Sequence, residues 1–461
     1  MNANVEEPGT ALAELRSSLH GSVLAAGDEE YEQARRVWNG TIDRRPDAVV
    51  RCSGPGDVVA ALRFARSARL EVAVRGGGHS LPGFSASEGG VVIDLSPMRG
   101  VKVDVEARTA IVGGGATWGD FDLATHAYGL AAPGGLVSTT GVGGLTLGGG
   151  IGWLTRKYGL ACDNLLGAEV VLASGEIVTS SFADKPDLLW ALRGGGGNFG
   201  VVTSFTFALH PVDVVTAGFL LFEMTRFDEV MRAYSGYCGA FSDDFSTMPV
   251  VMTAPDQDGV PGALRGAPAL GIAGCHCGPA QEAEGELAPL RGLTPAADFF
   301  HAIPYPDLQR MFDADLPPGD RYYFKGGFVD DWNDELATIV KRNMAAKPSA
   351  RDEFDLHHMG GAASRVPDSA SPFPGRRAAF IYNVIAAWSS SSDDDANRGW
   401  ARQFAADLEA AGGHPGYGNF LSDAGSPEAL LNSEVKQRLV DLKRRYDPEN
   451  VFHLNHNIAA G

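Results

Sequence analysis

The segment at residues 70–80 reads LEVAVRGGGHS and decides the fold. A short run typical of a β-strand ends in three glycines, and a single histidine, His79, follows them. Because glycine has no Cβ, it adopts positive φ readily, and successive amide N–H groups can turn inward around an anion such as a pyrophosphate. An imidazole just beyond that loop can contact whatever the phosphates carry. The segment therefore predicts a site for a phosphate-bearing ligand whose reactive part lies beside His79.

Two further glycine clusters follow this loop. Nine glycines lie from Gly134 to Gly152, and residues 193–200 read RGGGGNFG. Glycine inside regular structure costs about 0.5–1 kcal/mol relative to alanine, so this density needs a physical reason. Close approach of the backbone to a large flat ligand is one reason. Tight turns in a protein from a glycine-rich genome are the alternative, and both remain open at this point.

Composition and charge narrow the class of protein. The chain has 461 residues, of which 44% are hydrophobic and 21% charged, and 59 are glycine. This length predicts two to three domains with sizeable cores. The net charge of −19 argues against a nucleic-acid partner and against an anionic membrane surface. No window of about 20 apolar residues predicts a membrane span.

The cysteines and the first residues bear on the compartment. The five cysteines are too few and too scattered for a disulfide framework, and no second ligand pair stands at zinc-site spacing from Cys275-His276-Cys277. We therefore expect free thiols and no bound metal. Residues 1–7 lack a basic and an apolar region of the kind found in secretory signals. A reducing cytoplasm is the expected location. The cysteines are Cys52, Cys162, Cys238, Cys275 and Cys277.

Periodicity divides the chain into four segments. Residues 1–44 are predicted to be a helical lead-in, with helical spacing over 11–37, and residues 45–212 begin with a β-α-β unit that ends in the glycine loop. From 213 to 415 the glycine clusters thin out, and antiparallel strands alternate with helices, which predicts a separate α+β domain covering a substrate. In residues 416–461, Ser426-Pro427-Glu428 resembles a helix start, and a helix is predicted from Ser433 to about Arg445.

The common nucleotide-binding and hydrolase motifs do not fit. Gly195, Gly197 and Gly200 match a Rossmann fingerprint in letters, but the motif follows a helix and precedes a strand, which is the reverse of the required order. Residues 113–118 have the right order, but Trp118 replaces the third glycine. No Gly-Lys pair of a phosphate loop and no Gly-x-Ser-x-Gly elbow occurs in the sequence.

Four motifs in a fixed order carry a family resemblance. They are RGGGH at 75–79, GVGGLTLGGG at 141–150 with Trp153, RGGGGNFG at 193–200, and YDPENVF at 446–452 with Asn455 and Asn457. This set resembles the FAD-linked oxidases of the vanillyl-alcohol-oxidase/PCMH superfamily, in the berberine-bridge-enzyme-like branch. The likeness is strong over 45–212 and 416–461. It implies an α+β protein with a PCMH-type FAD-binding domain, a second α+β substrate domain in which helices cover an antiparallel sheet, and a C-terminal segment that returns to the first domain.

The resemblance implies FAD as the cofactor and a set of residues around it. In that family the histidine of the RGGGH loop is bonded through a ring nitrogen to the 8α-methyl of the flavin, and His79 stands at that position. The implied cofactor residues are Val74, Arg75, Gly76, Gly77, Gly78, His79, Ser80, Gly83, Pro133, Gly134, Gly135, Val137, Thr140, Gly141, Gly143, Gly144, Leu145, Gly149, Gly150, Trp153, Gly200, Val202, Asn419, Phe420, Asn455 and Asn457.

The chain departs from the family pattern at two positions. Many relatives carry a cysteine bonded to flavin C6, and the matching position here is Val137, which cannot form a thioether. Cys162 lies 25 residues later and is expected to be ordinary packing. Many relatives also end a Tyr-x-Asn-Tyr motif in a phenol that serves as base, but residues 417–420 end in Phe420. We therefore expect a flavin attached through His79 alone and a base other than a phenolate at 420.

The candidate catalytic residues come from two predicted strands. Asp355 and His357 alternate onto one face of 353–359, and Tyr323 and Lys325 do the same on 321–329. A carboxylate buried beside an apolar ring has a raised pKa, which suits a general base, so Asp355 is the first candidate. Tyr417 of the C-terminal motif completes the set. For each residue the alternative is a solvent-facing or hydrogen-bonded role on its strand.

The resemblance implies an oxidase for a small organic or natural-product substrate. A substrate C–H would lose a hydride to the flavin while a base takes a proton from an adjacent O–H or N–H, and O2 would reoxidise the flavin to give H2O2. Two alternatives remain: a flavin-dependent oxygenase acting on a polyketide-like secondary metabolite, and a flavin-binding protein without turnover. The sequence predicts neither the substrate nor the oligomeric state.

Overall fold

The computed structural model describes residues 8–424 and 431–460. Ser426-Pro427-Glu428, expected to start a helix, lie outside the described residues. The helices of the described residues are α1 (Pro8–Ser18), α2 (Tyr31–Ala34), α3 (Pro55–Ala68), α4 (Trp118–His126), α5 (Val142–Leu147), α6 (Thr155–Tyr158), α7 (Pro186–Leu192), α8 (Phe227–Cys238), α9 (Ala280–Arg291), α10 (Tyr305–Leu308), α11 (Asp334–Ala345), α12 (Gly361–Arg365), α13 (Asp394–Ala410) and α14 (Ser433–Tyr446).

The strands form four sheets. They are β1 (Ser22–Leu24), β2 (Ala48–Arg51), β3 (Val72–Arg75), β4 (Val91–Asp94), β5 (Val101–Asp104), β6 (Thr109–Gly113), β7 (Leu130–Ala131), β8 (Leu165–Val171), β9 (Ile177–Ser181), β10 (Val201–Ala208), β11 (His210–Pro211), β12 (Val214–Glu223), β13 (Phe245–Thr253), β14 (Pro268–His276), β15 (Ala297–Asp298), β16 (His301–Pro304), β17 (Arg321–Val329), β18 (Glu353–His358), β19 (Phe380–Trp388) and β20 (His414–Pro415).

The first sheet positions the RGGGH loop. Its order is β1-β2-β4-β3, with β2, β4 and β3 parallel and β1 antiparallel at the edge. Helix α3 begins with Pro55 at its first turn, where the missing N–H costs nothing, and ends with Arg69 in the left-handed conformation. Its buried face, including Val58 and Leu62, packs on this sheet. The helix predicted over 11–37 is wrong in extent, because β1 separates α1 from the short α2.

The second sheet is antiparallel, and the middle glycine cluster lies in the chain between β7 and β8, of which β8 belongs to this sheet. Its order is β5-β6-β10-β8-β9, and β7 and β11 form a separate two-stranded pair. Helix α14 closes this half from the C-terminal side, because Leu439, Leu442 and Tyr446 are buried in the same apolar cluster as Phe205 and Phe207 of β10. The C-terminal segment therefore returns to the first half of the chain.

The third sheet has nine strands and forms the second half of the molecule. Its order is β15-β12-β14-β13-β18-β19-β17-β20, and β16 also pairs with β12. Side chains of α8, α9, α11 and α13 are buried against one face of this sheet, and the other face looks toward the glycine loops. The predicted α+β class and the helix-covered antiparallel sheet are confirmed. The domain limits at 44, 212 and 415 stay predictions. Among the described helices, none is both long and apolar enough to cross a membrane.

Candidate functional site

A cavity of about 1140 Å³ lies between the glycine loops and the free face of the third sheet. One wall is glycine backbone: residues 76–78, 141, 143, 144 and 194–197 line it. The opposite wall consists of side chains from β13, β18 and β19, and residues 416–421 of the C-terminal segment close one side. The two wall types divide the cavity into a part suited to phosphates and a part suited to an organic substrate.

His79 lies in this cavity at the end of the RGGGH loop. Its ring stacks on Trp38, with centroids 4.8 Å apart and planes 15° apart. Its Nε2 lies 3.1 Å from Thr139 Oγ1, and its Nδ1 lies 3.5 Å from Thr140 Oγ1. Burial lowers the pKa of His79 to about 4, because the charged ring would lose its hydration. The imidazole is therefore neutral at physiological pH, with a nitrogen lone pair available for bonding.

The glycines of the loops are needed for two different reasons. A Cβ on Gly77 would lie 2.4 Å from the backbone N of Gly141, so these glycines let the two loops touch. Gly78 has φ of +73°, which favours glycine. By contrast, a Cβ on Gly144 or Gly197 would meet no heavy atom within 4 Å, although both residues line the cavity. Tight backbone packing thus explains some of the glycines. Others, such as Gly144 and Gly197, leave open space in the cavity in which a ligand could approach the backbone closely.

Most of the predicted cofactor residues lie together at the cavity. The structure places these at its surface: Val74, Gly76, Gly77, Gly78, His79, Ser80, Gly135, Val137, Thr140, Gly141, Gly143, Gly144, Leu145, Gly200, Val202, Asn419, Phe420 and Asn455. Asn419 also donates to the carbonyl of Leu145 at 3.0 Å, which fixes the C-terminal segment to α5.

Arg75 does not line the cavity, and its side chain is held away from it, so its role as a cofactor residue stays a prediction. Its guanidinium donates to both carboxylate oxygens of Asp94, at 3.2 and 2.6 Å, and to the carbonyl of Ala34. Because Arg75 and Asp94 are directly paired across β3 and β4, this buried ion pair fixes the strand end from which the loop starts.

Seven other predicted cofactor residues lie behind the cavity wall. Gly134 packs against the Trp118 ring, where a Cβ would approach to 2.4 Å. Trp153 is buried in an apolar cluster with Tyr305 and Leu154. Gly134 and Trp153 thus shape the wall without forming its surface, because the missing side chain of one and the ring of the other face the core. The full set behind the wall is Gly83, Pro133, Gly134, Gly149, Gly150, Trp153 and Asn457.

Strand β18 presents its polar residues to the cavity. Asp355 and His357 line it and are only 7% and 8% exposed. Asp355 Oδ1 and His357 Nε2 have no hydrogen-bond partner among the described residues. Burial raises the pKa of Asp355 well above its usual range, with a smaller contribution from the Glu353 carboxyl, and lowers the pKa of His357 to about 3. His357 is therefore neutral at pH 7, the protonated form of Asp355 is favoured, and both residues have unused polar atoms facing the ligand space.

Tyr323 and Lys325 lie on the other face of the third sheet, so their catalytic prediction is corrected. The Tyr323 hydroxyl donates to Asp423 Oδ2 at 2.6 Å and accepts from Arg402 Nε at 2.8 Å. Lys325 pairs with the same Asp423 at 2.7 Å. On this strand it is Phe324 that faces the cavity.

Tyr417 lines the cavity, but its hydroxyl is held by the protein. That oxygen accepts from Ile151 N at 3.3 Å and from Asn419 Nδ2 at 3.0 Å, and burial raises its pKa. Phe420 packs between Tyr417 and His357, with ring centroids 4.7 and 5.4 Å away. The C-terminal motif therefore contributes shape rather than an ionisable base.

Sequence reasoning missed three residues of the site. Glu353 shares the cavity face of β18 with Asp355, and burial raises the pKa of Glu353 to about 7. Asn383 is buried directly opposite Asp355 on β19. Trp38 stacks on His79. The period-two rule applied to β18 could have found Glu353, but finding Asn383 and Trp38 required the register of distant strands.

Comparison with known proteins assigns the family. A model described as FAD binding domain matches residues 46–181, and one described as berberine and berberine like matches residues 432–459. An FAD-linked oxidoreductase of Dictyostelium discoideum is 32% identical over 451 residues, which span 96% of each chain. The chain belongs to the berberine-bridge-like FAD-linked oxidoreductases. The (R)-6-hydroxynicotine oxidase of Paenarthrobacter nicotinovorans is 31% identical and covers 96% of this chain and 97% of its own.

Solved structures agree with this assignment. The crystal structure of 6-hydroxy-D-nicotine oxidase from Arthrobacter nicotinovorans superposes with a TM-score of 0.86 at 30% identity, over 96% of this chain and 99% of that one. A xylooligosaccharide oxidase from Myceliophthora thermophila, at 22% identity and a TM-score of 0.82, shares the fold. The PCMH-type FAD-binding fold predicted for this FAD-linked oxidoreductase is confirmed.

The residues present in this oxidoreductase fit FAD. Open glycine backbone at 144 and 197 leaves room for a close-lying ligand, and Asn455 Oδ1 is buried without a partner among the described residues. Residues of the 76–78 and 141–144 loops would hold the phosphates, and His79 would adjoin the ring system. The face of β18 would lie across from that ring.

Proposed function

We propose that the protein is an oxidase that removes a hydride from a small organic substrate, with FAD attached covalently through His79 and O2 as the final acceptor. The observation that carries the proposal is the shared cavity. A neutral, stacked imidazole ends the glycine loop on one wall, and the unpartnered Asp355 and His357 stand on the other. Val137 at the cavity surface supports attachment through one residue only.

Bound FAD supplies the electron transfer: a substrate H–C–X–H, where X is O or N, becomes C=X, and O2 becomes H2O2, so two electrons and two protons are balanced. The protein supplies position and proton handling. Phe420 and Ile385 give apolar contacts at the cavity, and Asn383 lies beside Asp355. The ionised form of Asp355 would be a stronger base than an ordinary carboxylate, since burial raises its pKa.

Covalent attachment is tested by acid precipitation. The wild-type protein should keep its yellow colour in the pellet, and the peptide containing residue 79 should carry the mass of the flavin. His79→Ala should release all colour into the supernatant, whereas His414→Ala, an exposed histidine on β20, should behave as wild type. A colourless wild-type pellet with an unmodified peptide would contradict the attachment.

An oxygenase is the second candidate. An FAD-dependent monooxygenase of Fusarium proliferatum is 40% identical over 209 residues, which cover 45% of this chain and 39% of its own. Turnover under ¹⁸O2 separates the two reactions. Label only in peroxide supports the oxidase, and label in the organic product supports the oxygenase. Reduced flavin that stays reduced in air would support neither and would favour a flavin-binding protein without turnover.

We also propose a cytoplasmic location and a role in secondary metabolism. All five cysteines are free in the structure, and four of them are buried, which agrees with a reducing compartment. Fractionation of the source cells with an antibody against the protein would test the location.

A further inference from the structure

The cavity face of the third sheet is divided into an apolar field and a row of carboxyl groups. The apolar field comes from alternate residues of β13 and their neighbours on β12 and β14, because these side chains share one face of the sheet. It is formed by Phe219, Met248, Val250, Met252 and Ala273. Glu353 and Asp355 of β18 lie next to this field, since Val250 and Asp355 are directly paired across β13 and β18.

The carboxyl groups of Glu353 and Asp355 have no ion pair or hydrogen bond among the described residues. Asp355 is 7% exposed, so 93% of it is buried, and it lines the cavity. Its Oδ1 has no hydrogen-bond partner among the described residues. Asp315, at the exposed rim of the same cavity, likewise has no side-chain partner in the described part of the chain. Buried carboxyl groups without a counter-ion are costly when ionised, so burial raises the pKa of both groups, that of Glu353 to about 7.

The nearby cations are bound elsewhere. Arg351 Nη1 donates to Asp320, and its Nη2 donates to the carbonyl of Asp315 at 3.0 Å. Lys347 Nζ donates to Thr253 Oγ1 at 2.8 Å and to the carbonyls of Ala350 and Asp352 at 3.0 and 2.9 Å. Neither side chain can neutralise Glu353 or Asp355 without leaving these partners. Both cations lower the pKa of Glu353 through space, but among the described residues neither forms an ion pair with Glu353 or Asp355, which leaves the pair open to direct contact with a cationic ligand.

We propose that Glu353 and Asp355 recognise the ammonium group of an organic amine whose apolar body packs on the methionine and phenylalanine field beside them. The substrate class is thus a cationic amine with an aromatic or aliphatic body. This inference rests on the proposed oxidase function and specifies the substrate of the same site. Thioethers and aromatic rings favour such a body, and a sugar would leave its hydroxyls unpaired against the apolar field.

The test uses three probes with one shape and three charges: benzylamine, benzyl alcohol and benzoate. Binding to the flavin-loaded protein at pH 7 is measured by calorimetry without O2, in buffers of different ionisation enthalpy. Benzylamine should bind about tenfold or more tightly than the other two, which corresponds to ~1.4 kcal/mol. Its binding should also release protons to the buffer, because the carboxyl pair must ionise to meet the ammonium. Benzyl alcohol should release none.

Variants assign the effect to the carboxyl pair. Glu353→Gln and Asp355→Asn should each weaken benzylamine binding about tenfold or more, reduce its proton release and leave benzyl alcohol within about twofold. Glu353→Asp should restore the preference for the amine, and Glu335→Gln, an exposed carboxylate on α11, should behave as wild type. Circular dichroism confirms that each variant is folded.

Two failures are distinguishable. Absence of benzylamine binding, equal binding of benzyl alcohol or benzoate, or equal weakening of amine and alcohol in Glu353→Gln would overturn amine recognition. If benzylamine binds with proton release, and binds the wild-type protein more tightly than the Glu353 and Asp355 variants, amine recognition stands. It stands even when the flavin keeps its visible absorbance without O2, which would mean that benzylamine does not reduce the flavin. That last result would count against the proposed oxidation and not against the amine site.

Discussion

At the scale of single residues, burial sets the charge of Asp122, on α4 away from the cavity. Asp122 is fully buried where α4 meets α10 of the second half, and its Oδ2 accepts from Gln309 Nε2 at 3.0 Å. The hydroxyl of Tyr305 lies buried without a partner among the described residues. Burial raises the pKa of Asp122 from 3.8 to about 7, because the ionised carboxylate would be desolvated.

Asp122→Asn should therefore make the protein more stable at high pH. The folded pKa exceeds the unfolded one, so the folded state binds a proton more tightly, and the wild type loses stability as pH rises from about 4 through about 7. Above pH 7 the variant should exceed the wild type by at most roughly 4 kcal/mol in unfolding free energy. At pH 4 the two should agree. Urea unfolding between pH 4 and 8 measures this. Asp331→Asn, an exposed control, should leave the pH profile unchanged.

The sequence predicted individual chemistry-bearing residues well where the backbone fixes their direction. His79 and Asp355 both reach the cavity, because a glycine loop and a period-two strand leave few choices. Arg75, one residue before the glycines, does not reach the cavity with its side chain: as the last residue of β3 it points to Asp94 on the neighbouring strand. A basic residue next to a phosphate loop is not thereby a phosphate ligand.

At the scale of elements, α14 is fixed by an ion pair at its end. Lys443 and Asp447 are both 0% exposed and lie 2.8 Å apart. Lys443 Nζ also donates to the carbonyls of Asn198 and Phe452, each at 2.9 Å, so it joins α14 to the RGGGGNFG loop and to the following turn. Asp447 in turn accepts from the backbone of Val451 and Phe452.

Lys443→Met should lower the free energy of unfolding by about 3–5 kcal/mol, because it leaves the Asp447 carboxylate buried without a cation. Urea unfolding followed by circular dichroism measures the loss. The control is Arg444→Met, an exposed partner of Asp441, for which a change below about 1 kcal/mol is expected. A loss in Lys443→Met no larger than in the control would show that the pair is not a structural anchor.

The order of the helices and strands was largely predictable from the sequence. Which face of a strand lies toward the cavity was not. The sequence placed Tyr323 and Lys325 on one face of β17 correctly, yet that face is covered by α13 and Asp423. Alternation states which residues share a face, whereas the sheet order and register determine which face is covered. Both faces of β17 carry aromatic residues, so its composition did not distinguish them.

At the scale of the whole molecule, Arg156 ties the two halves together. It projects from α6 and is 5% exposed. Its Nε donates to the carbonyl of Phe245 at 2.9 Å, and its Nη2 donates to those of Phe241 and Ser242, each at 3.1 Å. Its Nη1 donates to the carbonyl of Met359 and lies 3.1 Å from His358 Nε2. The end of β18, three residues from Asp355, is thereby attached to the FAD-binding half.

Arg156→Met should lower the unfolding free energy by about 2–4 kcal/mol, because several buried carbonyls lose their donor. Arg365→Met, which removes an exposed arginine paired with Asp243, should change it by less than about 1 kcal/mol. Chemical unfolding of the purified proteins measures both. Equal stability of Arg156→Met and wild type would mean that water replaces the guanidinium at no cost.

The sequence offered no sign of the contacts of Arg156, because their acceptors are backbone atoms more than 80 residues away.

The order in which the cavity walls occur along the chain has a consequence for biosynthesis. Residues 76–78 lie in an early wall, whereas residues 416–421, 452 and 454–456 of the same cavity follow all three main sheets. A ribosome therefore delivers the closing wall after the loop that carries His79. The complete set of cavity walls, and with it the enclosed space between them, exists only after the residues of this last segment have been synthesised.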